Sequence, residues 1–96
     1  MKEPGDFNNI KEIRDTIDEI DYQILKLFGD RNRCVEKIIN FKSDKEGVVA
    51  KKRQEEVLEL RRKWAEEFNI DPDLFEKIYI ILINSNIEKQ LGMLRQ

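Results

Sequence analysis

Arg31 stands where an apolar residue is due. From Ile10, the positions Ile13, Ile17, Ile20, Ile24 and Leu27 step by three and four, as one buried face of a helix requires. The next step lands on Arg31, and the stripe resumes at Cys34, Ile38 and Phe41. A guanidinium in an apolar seam is costly to desolvate and cannot release its proton. An anion must meet it, either a protein carboxylate in a structural ion pair or a ligand, unless the side chain snorkels to the edge. Lys42 lies further along the same stripe: at about 100° and 1.5 Å per residue it returns to within roughly 20° of Arg31, about 16 Å away. A second helical pattern places Arg53 four before Val57, with Leu60 and Trp64 beyond. A third runs Ile80, Ile83, Ile87 and then Gln90 before Leu94. Three helices each carry a polar donor in an apolar face, which is the pattern of a site.

Such a site holds permanent cations and an amide, and no imidazole, since the chain has no histidine. It suits a small polyanion and is poor in acid–base chemistry, because no Asp or Glu falls within the apolar stripes as a general acid. The chemistry it fits best is one in which the substrate supplies all the bonding electrons. The protein then folds a flexible dicarboxylate into a reactive conformer and stabilises charge growing on an oxygen as a C–O bond breaks. Lys42 and Gln90 are the natural donors to that oxygen, with Arg14 and Arg31 clamping carboxylates.

The elements that position these groups are all helical. The first helix is expected to begin among the capping residues at 6–9 and to run without proline to about residue 41 or 42. Gly29 weakens it by about 1 kcal/mol without ending it. About 33 residues give a rod of about 50 Å, against a diameter near 30 Å for a globule of this length. Its stripe therefore calls for a partner, and an isologous homodimer is the simplest symmetric answer. Arg14 lies about 26 Å from Arg31 along the rod and roughly 100° around it. In an antiparallel dimer of such rods the Arg14 end of one chain approaches the middle of the other, so a site shared between protomers follows. Residues 43–47 read as a connection broken by Gly47, and a second helix as 50–68. Asn69, Ile70, Asp71 and Pro72 then read as a turn, with Asp71 the N-cap and Pro72 the first helical position of a third helix reaching about residue 94. No segment alternates with period two. The expected architecture is all-α, three helices with a very long first one, in a single domain over residues 1–96.

Composition narrows the function classes. The 96 residues hold 18 basic and 20 acidic side chains, so there is no overall attraction to nucleic acid. Most charges read as a solvated, ion-paired helix surface, with Lys51, Lys52, Arg61, Arg62 and Lys63 answered by Glu55, Glu56, Glu59, Glu66 and Glu67 at helical spacing. Without histidine, and with one cysteine, the chain lacks the makings of a nucleophilic triad, a zinc site or an intrachain disulfide. No metal and no cofactor is expected. Cys34 falls on the stripe and reads as a small buried hydrophobe. The longest apolar run, residues 80–83, is too short for a membrane span, and no secretory signal pattern precedes the helices, so a soluble, cytoplasmic protein is expected.

The run Ile13-Arg14-Asp15-Thr16-Ile17-Asp18-Glu19-Ile20-Asp21-Tyr22-Gln23-Ile24-Leu25 closely resembles the opening of the all-helical, type II chorismate mutase family. The family pattern continues with residues matching Arg31, Lys42, Arg53 and Gln90, so the resemblance covers nearly the whole chain. It implies the intertwined homodimer of that fold, in which the arginine matching Arg14 serves the partner's site. It also implies that Gln54, Asn86 and Ile87 join Arg14, Arg31, Lys42, Arg53 and Gln90 in binding the substrate.

Two chemistries occur on this scaffold. Chorismate mutases rearrange chorismate to prephenate, in aromatic amino-acid biosynthesis, and isochorismate-pyruvate lyases eliminate pyruvate from isochorismate to leave salicylate, usually with weak mutase activity. Typical bacterial mutases carry acids at the positions of Ala50 and Gln54 that address the ring hydroxyl, and this chain has neither. It resembles the lyases in Met1-Lys2-Glu3-Pro4-Gly5-Asp6, in Phe41-Lys42 and in Lys63-Trp64-Ala65-Glu66-Glu67, and in its gapless spacing from Lys42 to Arg53. Gln54, which can still bond a hydroxyl, and the small polar pair Ser85-Asn86 lean instead toward the mutases. The lyase with secondary mutase activity is the favoured reading, a mutase the alternative. A third reading, a non-catalytic dimerisation module with a buried polar layer that fixes register, predicts carboxylate partners for Arg14, Arg31 and Lys42.

Overall fold

The structure of the chain, a computed structural model, describes residues 6–41 and 44–94. Lys42 lies outside the described residues. Helix α1 spans Ile10–Ile38 and a 3-10 turn follows at Ile39–Phe41; α2 is Lys45–Val49, α3 Lys51–Glu67 and α4 Pro72–Leu94. Three long helices with the longest first match the sequence pattern, and no strand occurs among the described residues. None of these helices is long and apolar enough to cross a membrane.

Capping chemistry accounts for the helix starts. Asn9 Oδ1 accepts from the Glu12 N–H at 2.9 Å, while the Glu12 carboxylate reaches back to the Asn8 N–H at 2.9 Å, satisfying donors that the first turn leaves open. Asp71 Oδ1 likewise accepts from the N–H groups of Asp73 and Leu74, with Pro72 opening α4. The α1 pattern runs through Gly29 without interruption. Two boundaries differ from the sequence reading. The α-helix ends at Ile38 and tightens into the 3-10 turn, and α2 overlaps the connection expected at 43–47 and extends past it to Val49. Asp44 makes that short helix possible by accepting from the Gly47 N–H at 2.7 Å.

The chain divides into two units, Met1–Cys34 and Val35–Gln96. The first is a single helix as far as it is described. A lone helix has nothing within its unit to cover an apolar face, so Ile13, Ile17, Ile20, Ile24 and Leu27 are all exposed. Cys34 is exposed as well, contrary to the buried position its register suggests, because nothing described within its own unit covers that part of the stripe. Thr16 is the exception; it is buried, and its hydroxyl donates to the Glu12 carbonyl.

The second unit is held by α4, against which α2 and α3 pack. Its buried apolar residues are Val48, Val57, Ala65 and Ile83. The packed face of α3 runs Gln54, Val57, Leu58, Arg61, Arg62 and Ala65. It is rotated from the expected Arg53, Val57, Leu60, Trp64 stripe, and Arg53, Leu60 and Trp64 are exposed. Consequently Arg61 and Arg62 are not the solvated pair that helical spacing suggests. Arg61 lies over the Trp64 ring of its own helix at 4.7 Å and over the Tyr79 ring at 5.5 Å, the second a cation–π contact across the α3–α4 seam. Arg62 bridges to Asp73 at 2.9 Å and Glu76 at 3.0 Å on α4, and the hydrogen bond to Asp73 raises its pKa further above the ordinary arginine value. Both arginines are half-buried and face α4, because the packed face of α3 is set by Gln54, Val57 and Ala65.

Candidate active site

Two of the site residues read from the sequence lie in the first unit. Arg14 is exposed on α1 and makes no ion pair among the described residues, and Arg31 is half-buried near the end of the unit. The other described candidates belong to the second unit. Arg53 and Gln54 sit in the opening turns of α3, and Asn86, Ile87 and Gln90 occupy one face of α4 at spacings of three and four.

Gln90 is the most deeply placed of them, with 4% of its surface exposed. Its Nε2 donates to the Val35 carbonyl at 2.7 Å, in the last turn of α1. One residue away, Lys89 pairs with Glu36 at 2.7 Å. These two contacts join the end of α1 to the end of α4, and they hold the buried amide in one orientation. The carbonyl acceptor takes one N–H of the side-chain NH₂ group, which has a second N–H to offer. Asn86 and Ile87 are half-buried on the same face.

Gln54 is half-buried and its Nε2 donates to the Val49 carbonyl at 2.7 Å. Ala50 separates α2 from α3 in a left-handed conformation, φ 44 and ψ 62. Arg53 is exposed, and its nearest carboxylate, Glu56, stands 4.0 Å away, the outer edge of an ion pair. Its guanidinium is therefore placed by the backbone of α3 more than by any partner.

One cavity of about 210 Å³ lies away from these residues, lined by Arg61, Trp64, Ala65, Phe68, Ile70, Phe75 and Tyr79. Sequence reading missed it, since Arg61 was assigned to the solvated surface; the cluster of four aromatic residues around a short turn was the available signal.

The described residues form a small all-helical chain with a long first helix. Residues 13–91 match the family Chorismate mutase type II, and the chain belongs to that family of enzymes. Among individual proteins it is 32% identical to the isochorismate pyruvate lyase of Pseudomonas aeruginosa over 96 residues, covering 100% of this chain and 95% of the relative. It is 35% identical to the chorismate mutase of Methanocaldococcus jannaschii over 85 residues, covering 84% of this chain and 85% of the relative.

Proposed function

We propose that the protein is an isochorismate-pyruvate lyase, converting isochorismate to salicylate and pyruvate, with a secondary chorismate mutase activity. The observation that carries this reading is the end-to-end likeness to the Pseudomonas lyase, which includes residues outside the family match at 13–91. Ala50 agrees with it, since a methyl group stands where the typical mutase carries an acid. In the lyase reaction the enolpyruvyl C–O bond breaks and one ring hydrogen ends on the departing three-carbon unit. Atoms balance without water or a cofactor.

The protein's share is binding and charge stabilisation. Arg14 and Arg31 clamp the two carboxylates, Arg53 adds a third cation, and Lys42 and Gln90 donate to the oxygen that gains charge as its C–O bond breaks. Asn86 and Ile87 complete the walls, and Gln54, bonded to the Val49 carbonyl, stands behind Arg53. Preorganisation of Gln90 on the Val35 carbonyl suits this role, because an amide already held in place needs no reorganisation during the reaction.

Arg14 serves the site of a second protomer. The support is the exposed face of α1: Ile13, Ile17, Ile20, Ile24 and Leu27 form an apolar stripe that an antiparallel copy of the same helix covers. The residues 1–96 then act as one helical domain completed by its partner, in the cytoplasm. A second reading, chorismate mutase as the main activity, is favoured by Gln54 and by the 35% identity to the archaeal mutase.

Incubating the purified protein separately with isochorismate and chorismate tests the proposal. Salicylate and pyruvate formed far faster than prephenate establish the lyase. Efficient prephenate formation without salicylate makes it a mutase, and inactivity on both returns the helical dimerisation module.

A further inference from the structure

Ala50 is the strained point of the second unit. Two non-glycine residues among those described have positive φ, Asn69 at 58 and Ala50 at 44. Asn tolerates this region because its short polar side chain bonds locally, but Ala has no such means and its Cβ crowds the following carbonyl. Ala50 nevertheless forms both the end of α2 and the start of α3. Its N–H donates to the Glu46 carbonyl at 2.9 Å, and its carbonyl accepts from the Gln54 N–H at 3.0 Å. Those two bonds belong to separate helices. The tie between the helices is the 2.7 Å bond from Gln54 Nε2 to the Val49 carbonyl, the terminal acceptor of α2. A carbonyl can only accept, so the amide must turn its NH₂ group toward Val49.

We infer that Gln54 is a positioning residue: its amide clasps the end of α2 and holds the left-handed break at Ala50, and so sets the first turn of α3 from which Arg53 projects. The inference rests on the substrate-binding role proposed for Arg53. Arg53 directly precedes Gln54, and among the described residues it has only the 4.0 Å approach of Glu56 to steady it, so its placement depends on the backbone that the clasp holds. A glutamate at 54 would set one acceptor against another and release the clasp. That gives a physical reason for an amide in a chain that breaks at Ala50.

The test uses the full chain with Gln54→Met, Gln54→Glu, Ala50→Gly and the double variant Ala50→Gly/Gln54→Met. Glycine adopts the left-handed conformation without the steric penalty, so it should hold the break when the clasp is gone. Hydrogen exchange at the Val48 and Ala50 amides, which bond to Asp44 and Glu46, is expected to quicken about fivefold in both Gln54 variants, the loss of one ordinary hydrogen bond. KM for isochorismate is expected to rise with kcat little changed, and the double variant should recover most of that KM. Unchanged exchange in Gln54→Met overturns the inference. So does a loss of activity that Ala50→Gly fails to repair, since a direct substrate contact cannot be restored through the backbone. If the wild-type protein turns over neither isochorismate nor chorismate, the functional reading falls and the exchange rates alone decide whether the clasp exists.

Discussion

Gln90 and Val35, 55 residues apart in sequence, are joined by a 2.7 Å hydrogen bond from the buried Gln90 amide to the carbonyl in the last turn of α1. The bond makes one residue serve two ends. It fastens α4 to the end of α1, and it orients the amide proposed above to donate to the reacting oxygen.

Gln90→Ala therefore has two expected effects. Taking this donor from the Val35 carbonyl in a part-buried setting should lower stability by about 0.5–1.5 kcal/mol, read from the urea midpoint. Turnover should fall about 100-fold or more, the effect expected of the proposed donation to charge that develops in the transition state. Stability loss with full turnover would remove Gln90 from the chemistry.

Lys42→Ala should abolish turnover while the protein keeps its helical circular dichroism and its sedimentation behaviour. Loss of one charge-assisted donor made mainly at the transition state is worth about 2.7–4 kcal/mol, or roughly 10²–10³ in kcat. Full activity in this variant would sink the proposed mechanism.

Arg14→Ala and Arg31→Ala should each be inactive alone, and mixing them should restore activity. If Arg14 acts across the dimer, a hybrid holds one intact site and one doubly deficient site. Absence of rescue, with subunit exchange verified by mass, would argue that each protomer supplies its own Arg14.

Cys34 reports on the covering of α1. Its thiol is exposed in the single chain and lies on the stripe between Arg31 and Ile38. In a dimer that covers this stripe, labelling by a thiol reagent should be slow and should quicken on dilution through the dissociation range. Rapid labelling at every concentration would exclude this part of α1 from the interface.

Arg62→Met removes the bridges to Asp73 and Glu76. The melting temperature should drop slightly, and the difference from wild type should vanish near about 1 M salt, where the Debye length falls to about 3 Å. The raised pKa of Arg62 means that its contribution is complete below the ordinary arginine value and is lost only as pH rises through the still higher folded value. Between neutral and mildly alkaline pH the difference should therefore stay constant.

The candidate site was legible in part. Arg31 and Gln90 stood out because each interrupts an apolar series, and Gln90 is indeed buried while Arg31 is half-buried. Arg53 looked equivalent by register with Val57, yet it is exposed, because the packed face of α3 is set by Gln54, Val57, Arg61 and Ala65. The seam-spanning roles of Arg61 and Arg62 were hidden for the same reason. Each has acidic neighbours at helical spacing, and nothing in a one-dimensional pattern says that α4 offers Asp73, Glu76 and Tyr79 instead.

What the sequence determined by itself is the set of helices and their starts. A repeat of three and four residues, Asn9 and Glu12 before one run, and Asp71 and Pro72 before another act within a few residues, so they can be read locally. The tertiary structure decided which acceptor each polar side chain meets. Gln90 finds Val35, Gln54 finds Val49, and Arg61 finds Tyr79 only once the helices have docked. The physical reason is rotational: neighbouring residues point about 100° apart, so a modest turn of a helix about its axis exchanges one donor for another while leaving the periodicity unchanged.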